Sequence, residues 1–251
     1  MLPELDLGPI TLQTFGIAFA LGFLSGGALM ARRLSELGKP VDWAYEIIFA
    51  ALIGGLVGSR LDYVIQNYGR VSDDLAGALF SGTGFVWLGG TVGGAVGVLA
   101  WARWRGFLEW RMVDLTTIAL ALGYAIGRVG CQLSGDGDYG EATGLAWGMA
   151  YPEGTVPTAE EVHPTPVFET FVMGLVALVL WQLRDRVRPG VIFGLYLVLA
   201  GVERALIELI RRNEAVLAGL TTAQLFSVAM IAGGLALLIR LRGEPAQPRP
   251  A

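Results

Sequence analysis

Seven stretches of roughly 20 predominantly apolar residues divide this chain, and about 20 residues is what an α-helix needs to cross a hydrocarbon core of about 30 Å. They run from Ile10 to Met30, Ala44 to Ile65, Gly84 to Trp101, Met112 to Leu133, Thr165 to Leu183, Val191 to Ile210 and Thr221 to Ile239. No water inside a bilayer satisfies loose backbone groups, so apolar stretches of this length are read as helices. The expected fold class is all-α, a polytopic helical membrane protein with about seven transmembrane helices. Composition points the same way: 54% hydrophobic and 16% charged residues with a mean hydropathy of +0.57 exclude a disordered chain and argue against an ordinary soluble domain.

The basic residues give an orientation, because lysine and arginine accumulate in short cytoplasmic loops. Arg32, Arg33, Lys39, Arg103, Arg105, Arg111, Arg184, Arg186, Arg188, Arg240, Arg242 and Arg249 fall on one face, 12 of the 18 basic residues. The other face has Arg70, Arg211 and Arg212, with a loop over residues 134–164 that holds six carboxylates and no lysine or arginine. The N-terminus is therefore expected outside and the C-terminus inside. Glu4 and Asp6 precede the first span where a signal peptide would carry basic residues, so no cleavable signal peptide is expected. Residues 1–251 read as a single membrane domain with one outer polar loop, 134–164, and a cytoplasmic tail, 244–251.

Single residues exclude further classes. One cysteine, Cys131, rules out an intrachain disulfide framework, and one histidine, His163, rules out a multi-histidine zinc site. A net charge of −4 makes nucleic acid a poor partner. Glycines recur at four-residue spacing, as in Gly54/Gly58, Gly89/Gly93/Gly97 and Gly123/Gly127. Small residues one turn apart let helices pack closely, and Gly89-Gly90 also leaves room for a ligand at the backbone.

The three remaining arginines, Arg60, Arg128 and Arg204, lie inside spans. A charge at membrane depth costs at least about 2.5–3.5 kcal/mol, so an interior functional site is the default reading, with snorkelling or a structural ion pair as the bland one. Arg204 and Glu208 stand one helical turn apart and can pair. All three arginines lie toward the outer ends of their spans and are expected to converge on one chamber. Guanidinium is the group best suited to bidentate capture of phosphate, so the natural ligand is a phospholipid head group.

The densest chemistry is Gly127-Arg128-Val129-Gly130-Cys131-Gln132-Leu133-Ser134-Gly135-Asp136-Gly137-Asp138-Tyr139-Gly140. Asp136 and Asp138 have a calcium-loop look, but the twelfth position from Asp136 is Trp147, not glutamate. Cys131 reads as a small apolar residue more than as a nucleophile. His163 opens the run His163-Pro164-Thr165-Pro166-Val167-Phe168-Glu169; an interfacial histidine is commonly structural, and this one is also a ready proton acceptor.

Taken together, Phe15-Gly16, Gly58-Ser59-Arg60-Leu61, Gly89-Gly90, the stretch from Gly127-Arg128, His163-Pro164 through Glu169, and Glu203-Arg204 through Glu208 and Arg211 resemble the prolipoprotein diacylglyceryl transferases. The resemblance implies a multi-pass enzyme of the bacterial cytoplasmic (inner) membrane with its site toward the outer leaflet. It would move the diacylglyceryl unit of phosphatidylglycerol onto the lipobox cysteine of a prolipoprotein signal peptide, form a thioether and release glycerol phosphate. It implies no metal and no soluble cofactor. Arg128 and Arg204 would stabilise the departing phosphate, and Arg60, Gly89, Gly90, Ser134, Gly140, Glu169 and Glu208 would bind substrate.

The sequence departs from that family where it handles protons. Leu88 stands where a histidine usually precedes the paired glycines, Phe15 replaces a tyrosine, and Cys131, Ser134 and Asp136 replace asparagine, asparagine and glutamate. Two explanations follow: His163 or a carboxylate such as Asp136 or Asp138 is the base, or the acceptor is not a lipobox thiol. A paralogue with another acceptor and a non-enzymatic phospholipid-binding protein remain the alternatives.

Overall fold

The computed structural model describes residues 1–72, 77, 86–213, 216 and 219–242. The start of the third expected span, Gly84 and Phe85, and the 244–251 tail lie outside the described residues. The chain separates into two compact units, residues 1–29 with 113–251 and residues 30–112. Helices α1 (Thr14–Glu36), α2 (Trp43–Gln66), a single turn α3 (Tyr68–Val71), α4 (Trp87–Trp104), α5 (Trp110–Ser134), α6 (Thr165–Leu183), α7 (Val191–Glu208) and α8 (Thr222–Arg242) make up the framework. Five of them, α1, α2, α5, α6 and α8, are long and apolar enough to cross a membrane. Helices α4 and α7, at 18 residues each, sit at the short end of the spanning range.

Two small antiparallel pairs interrupt the helical pattern. The first span does not begin at Ile10: strand β1 (Glu4–Asp6) pairs with β2 (Thr11–Gln13), and the helix starts at Thr14. Gly8, at φ 76°, makes the turn, and Thr14 Oγ1 donates to the Leu2 and Pro3 carbonyls at 2.6 and 2.9 Å, which fixes the helix start. In the outer loop β3 (Met149–Tyr151) pairs with β4 (Thr158–Val162). Tyr151 stacks on Tyr139 at 4.9 Å and donates to Gln132 Oε1 at 2.9 Å, tying this hairpin to the end of α5.

In the larger unit, Ile118, Ala121 and Ala125 of α5, Met173, Val176, Ala177 and Leu180 of α6, and Ile192, Tyr196 and Ala200 of α7 form the core. Glycine sets the helix spacing around it. A Cβ at Gly201 would lie 2.8 Å from Ile231, and one at Gly234 would lie 2.8 Å from the Gly194 carbonyl, so α7 and α8 touch backbone to backbone. Helix α7 is started by a partner from elsewhere in the chain: Asp114 accepts from the Gly190 and Phe193 amides at 2.7 and 3.0 Å, satisfying the orphan donors of its first turn.

In the unit 30–112, α2 and α4 pack through Gly54, Gly58, Gly89, Gly93 and Gly97. A Cβ at Gly93 would fall 2.8 Å from Gly58 Cα, so even alanine is too large there. At the basic end, Glu46 accepts from Trp101 Nε1 at 2.7 Å and pairs with Arg105. Outward-facing Leu24, Ile65, Phe171 and Ile239 are 68–74% exposed, an apolar surface suited to lipid.

Candidate active site

Three helices of the larger unit deliver charge to one place. Arg128 lies near the C-terminal end of α5, Glu169 one turn into α6, and Glu203, Arg204 and Glu208 at the end of α7. Glu169 is fully buried. It accepts from the Tyr124 hydroxyl at 2.8 Å and lies 3.2 Å from Arg128 Nη2 and 3.9 Å from Arg204 Nη1. Tyr124 also accepts from Arg128 Nη2 at 3.0 Å, so one tyrosine links the carboxylate and the guanidinium. Arg204 pairs with Glu208 at 2.6 Å, the one-turn spacing expected from sequence. Glu208 in turn accepts from Asn213 at 2.8 Å and from Thr221 Oγ1 at 2.5 Å.

The loop after α5 closes this cluster from a fourth direction. Asp138 pairs through one oxygen with Arg128 and through the other with Arg211. The Asp138 carbonyl accepts from Thr165 Oγ1, and Gly140 pairs with Arg211 in an antiparallel bridge. Gly140 allows this approach, because a Cβ would strike the Ile210 carbonyl and lie 3.0 Å from His163 Cβ. Two carboxyls two residues apart are tuned in opposite directions. Burial pushes Asp136 up, against a hydrogen bond from Cys131. Burial also pushes Asp138 up, but Arg128 and Arg211 outweigh it and hold that carboxyl below the ordinary aspartate range.

Other expected residues have plainer surroundings. Ser134 is buried, donates to the Cys131 carbonyl at 3.2 Å and accepts at its own carbonyl from the Thr155 amide at 2.8 Å, a helix-ending role. The His163 amide and carbonyl bond Glu141 and Gly140 at 3.0 and 2.8 Å, while its Nδ1 is buried without a hydrogen-bond partner among the described residues. Cys131, Asp136 and Asp138 bring a thiol and two carboxylate oxygens within 4.8 Å of one another, but the guanidiniums on Asp138 disfavour a cation there.

Arg60, Gly89 and Gly90 belong to the other unit. Arg60 is 6% exposed, with its guanidinium 5.4 Å from the Tyr63 ring. The Gly89 amide donates to Asp62 Oδ2 at 2.9 Å, and a Cβ at Gly89 would collide with Asp62 and the Gly58 carbonyl. Much of what the paired glycines do here is helix packing. Leu88, beside them, is 45% exposed and has no atom able to accept a proton.

A sequence model of the prolipoprotein diacylglyceryl transferases matches residues 4–240. The chain belongs to the prolipoprotein diacylglyceryl transferase family. Among similar proteins, a phosphatidylglycerol–prolipoprotein diacylglyceryl transferase of Chromohalobacter salexigens is 32% identical over 97% of this chain and 95% of its own length. Proteins of the same name from Clostridium tetani and Erythrobacter litoralis are each 29% identical, covering 92% and 99% of this chain and 93% and 94% of their own lengths. Of the residues singled out from sequence, the structure brings Arg128, Arg204, Glu169 and Glu208 together. Sequence reasoning did not name Tyr124, whose hydroxyl lies between Glu169 and Arg128.

Proposed function

We propose that this chain is a phosphatidylglycerol–prolipoprotein diacylglyceryl transferase. In this reading the donor is phosphatidylglycerol and the acceptor is the lipobox cysteine of a prolipoprotein signal peptide. The thiol loses its proton, its sulfur attacks the glyceryl carbon, and the carbon–oxygen bond breaks toward glycerol phosphate with formation of a thioether. The observation that carries the reading is the convergence of Arg128 and Arg204 on the buried Glu169 in a chain of this family. Two guanidiniums held in a water-poor site stabilise charge on a departing phosphate. Glu169, Glu208 and Tyr124 orient them, and Gly140 lets the outer loop reach them.

Arg60, Gly89, Gly90 and Ser134 are assigned to substrate binding on the family resemblance. Asp136 and His163 are assigned to proton transfer, since Leu88 cannot serve. The chain acts as one domain of seven spans in the bacterial cytoplasmic membrane, N-terminus outside, C-terminus inside, with the site toward the outer leaflet; the distribution of basic residues supports this. The test is transfer to a lipobox peptide by purified protein. Arg128→Ala and Arg204→Ala are expected to abolish it, and full activity of both would remove the proposed site.

A further inference from the structure

Every arginine of the cluster already has an acidic partner, and the partners differ. Those of Arg204, Glu169 and Glu208, are side chains with no exposed surface on α6 and α7. Arg128 also touches Glu169, but it shares its other partner with Arg211, and that partner is Asp138 on the outer loop, whose side chain is 35% exposed. Asp138 presents one oxygen to each guanidinium, Oδ2 to Arg128 Nη1 and Oδ1 to Arg211 Nη2. The non-bridging oxygens of a phosphodiester offer the same single charge spread over the same two-oxygen edge, and arginines bind such edges by paired hydrogen bonds. The backbone around Asp138 is pinned by the Thr165 hydroxyl and by the Gly140–Arg211 bridge. Rotation of the Asp138 side chain is therefore enough to free both guanidiniums, with Arg128 still held by Tyr124 and Glu169 and Arg211 still anchored at its backbone by the Gly140 bridge.

We propose that Arg128 and Arg211 form a phosphate subsite that Asp138 occupies in the resting protein, and that the phosphate of an incoming ligand displaces this carboxylate. Arg211 thereby joins the ligand-binding groups, and Asp138 becomes a built-in competitor that rejects anions unable to engage both guanidiniums. The subsite takes a phosphodiester of a lipid head group or a phosphomonoester such as glycerol phosphate. Only the naming of the lipid rests on the proposed transferase reading.

The test is binding of two probes, short-chain phosphatidylglycerol and water-soluble glycerol phosphate, to the full-length protein in detergent, with folding followed by thermal melting. Asp138→Asn removes the competing charge and keeps the shape. If the open subsite makes up about one tenth of the resting population, removing the competitor tightens binding about tenfold. Asp138→Ser is measured beside it as a second uncharged variant, and binding to each variant is read below its own melting temperature. The gain is expected to vanish in the Asp138→Asn/Arg211→Gln double variant. Tightening for the lipid alone identifies the head group as the occupant, and tightening for glycerol phosphate alone identifies the phosphomonoester. Unchanged or weaker binding of both probes by a folded Asp138 variant would overturn the proposal. Absence of peptide modification by the unsubstituted protein would sink the transferase reading and leave this binding result standing.

Discussion

The arginines inside apolar stretches were legible in the sequence because burying a charge in hydrocarbon is costly enough to demand a reason. Arg128 and Arg204 meet at Glu169, 3.2 and 3.9 Å away. Tyr124 gave no such signal, since tyrosine is ordinary at membrane interfaces and its role appears only when the hydroxyl touches both Glu169 and Arg128. Arg211 stands among the outer-face charges and closes the resembling run from Glu203, and nothing local reveals that the Gly140 bridge returns it to Asp138. Removing a group that stabilises developing charge costs about 10²–10³ in rate. Arg128→Lys is expected to lose at least about a hundredfold in transfer, because an ammonium cannot bond Tyr124, Asp138 and Glu169 in the same planar fork; a loss below about fivefold would argue against phosphate contact. The Asp138 carboxyl sits below its unfolded value because of Arg128 and Arg211, so its ion pairs stabilise the fold above the ordinary aspartate range and are lost as pH falls through the folded value. The melting temperature of Asp138→Asn is therefore expected to lie below that of the unsubstituted protein at neutral pH, and the gap is expected to close in acid.

At the scale of elements, hydrophobic length placed the helices well, and errors fell where polar chemistry sets the boundary. The sequence span starts at Ile10, yet the Gly8 turn and the pairing of Thr11 with Asp6 make Thr11–Gln13 a strand and hold the helix start back to Thr14. The hairpin in the outer loop escaped notice because β3 and β4 are only three and five residues long, too short for alternation to register. Four-residue glycine spacing identified packing faces, and the contacts now rank them. Gly93→Ala would drive a methyl into the Gly58 backbone, with an overpacking cost of about 1–3 kcal/mol. Gly127→Ala meets nothing within 4 Å and gains helix propensity, so its stability is expected to be equal or higher. Thermal unfolding in detergent should separate the two variants; equal destabilisation would contradict the packing account.

For the whole molecule, the sequence supplied the membrane class and the family, because both depend on features spread along the chain: apolar length, basic-residue asymmetry and motifs in six places. The orientation makes a prediction of its own. In a Cys131→Ser background, Asp6→Cys is expected to react with an impermeant thiol reagent in intact cells, and Arg242→Cys only after lysis; the reverse pattern would invert the topology. The transferase reading itself is tested most directly with purified protein and labelled phosphatidylglycerol, with and without a lipobox-cysteine peptide, following glycerol phosphate release and peptide mass together. The account predicts release that depends on the peptide and a matching diacylglyceryl addition on its cysteine. Bound lipid with neither release nor modified peptide would contradict it.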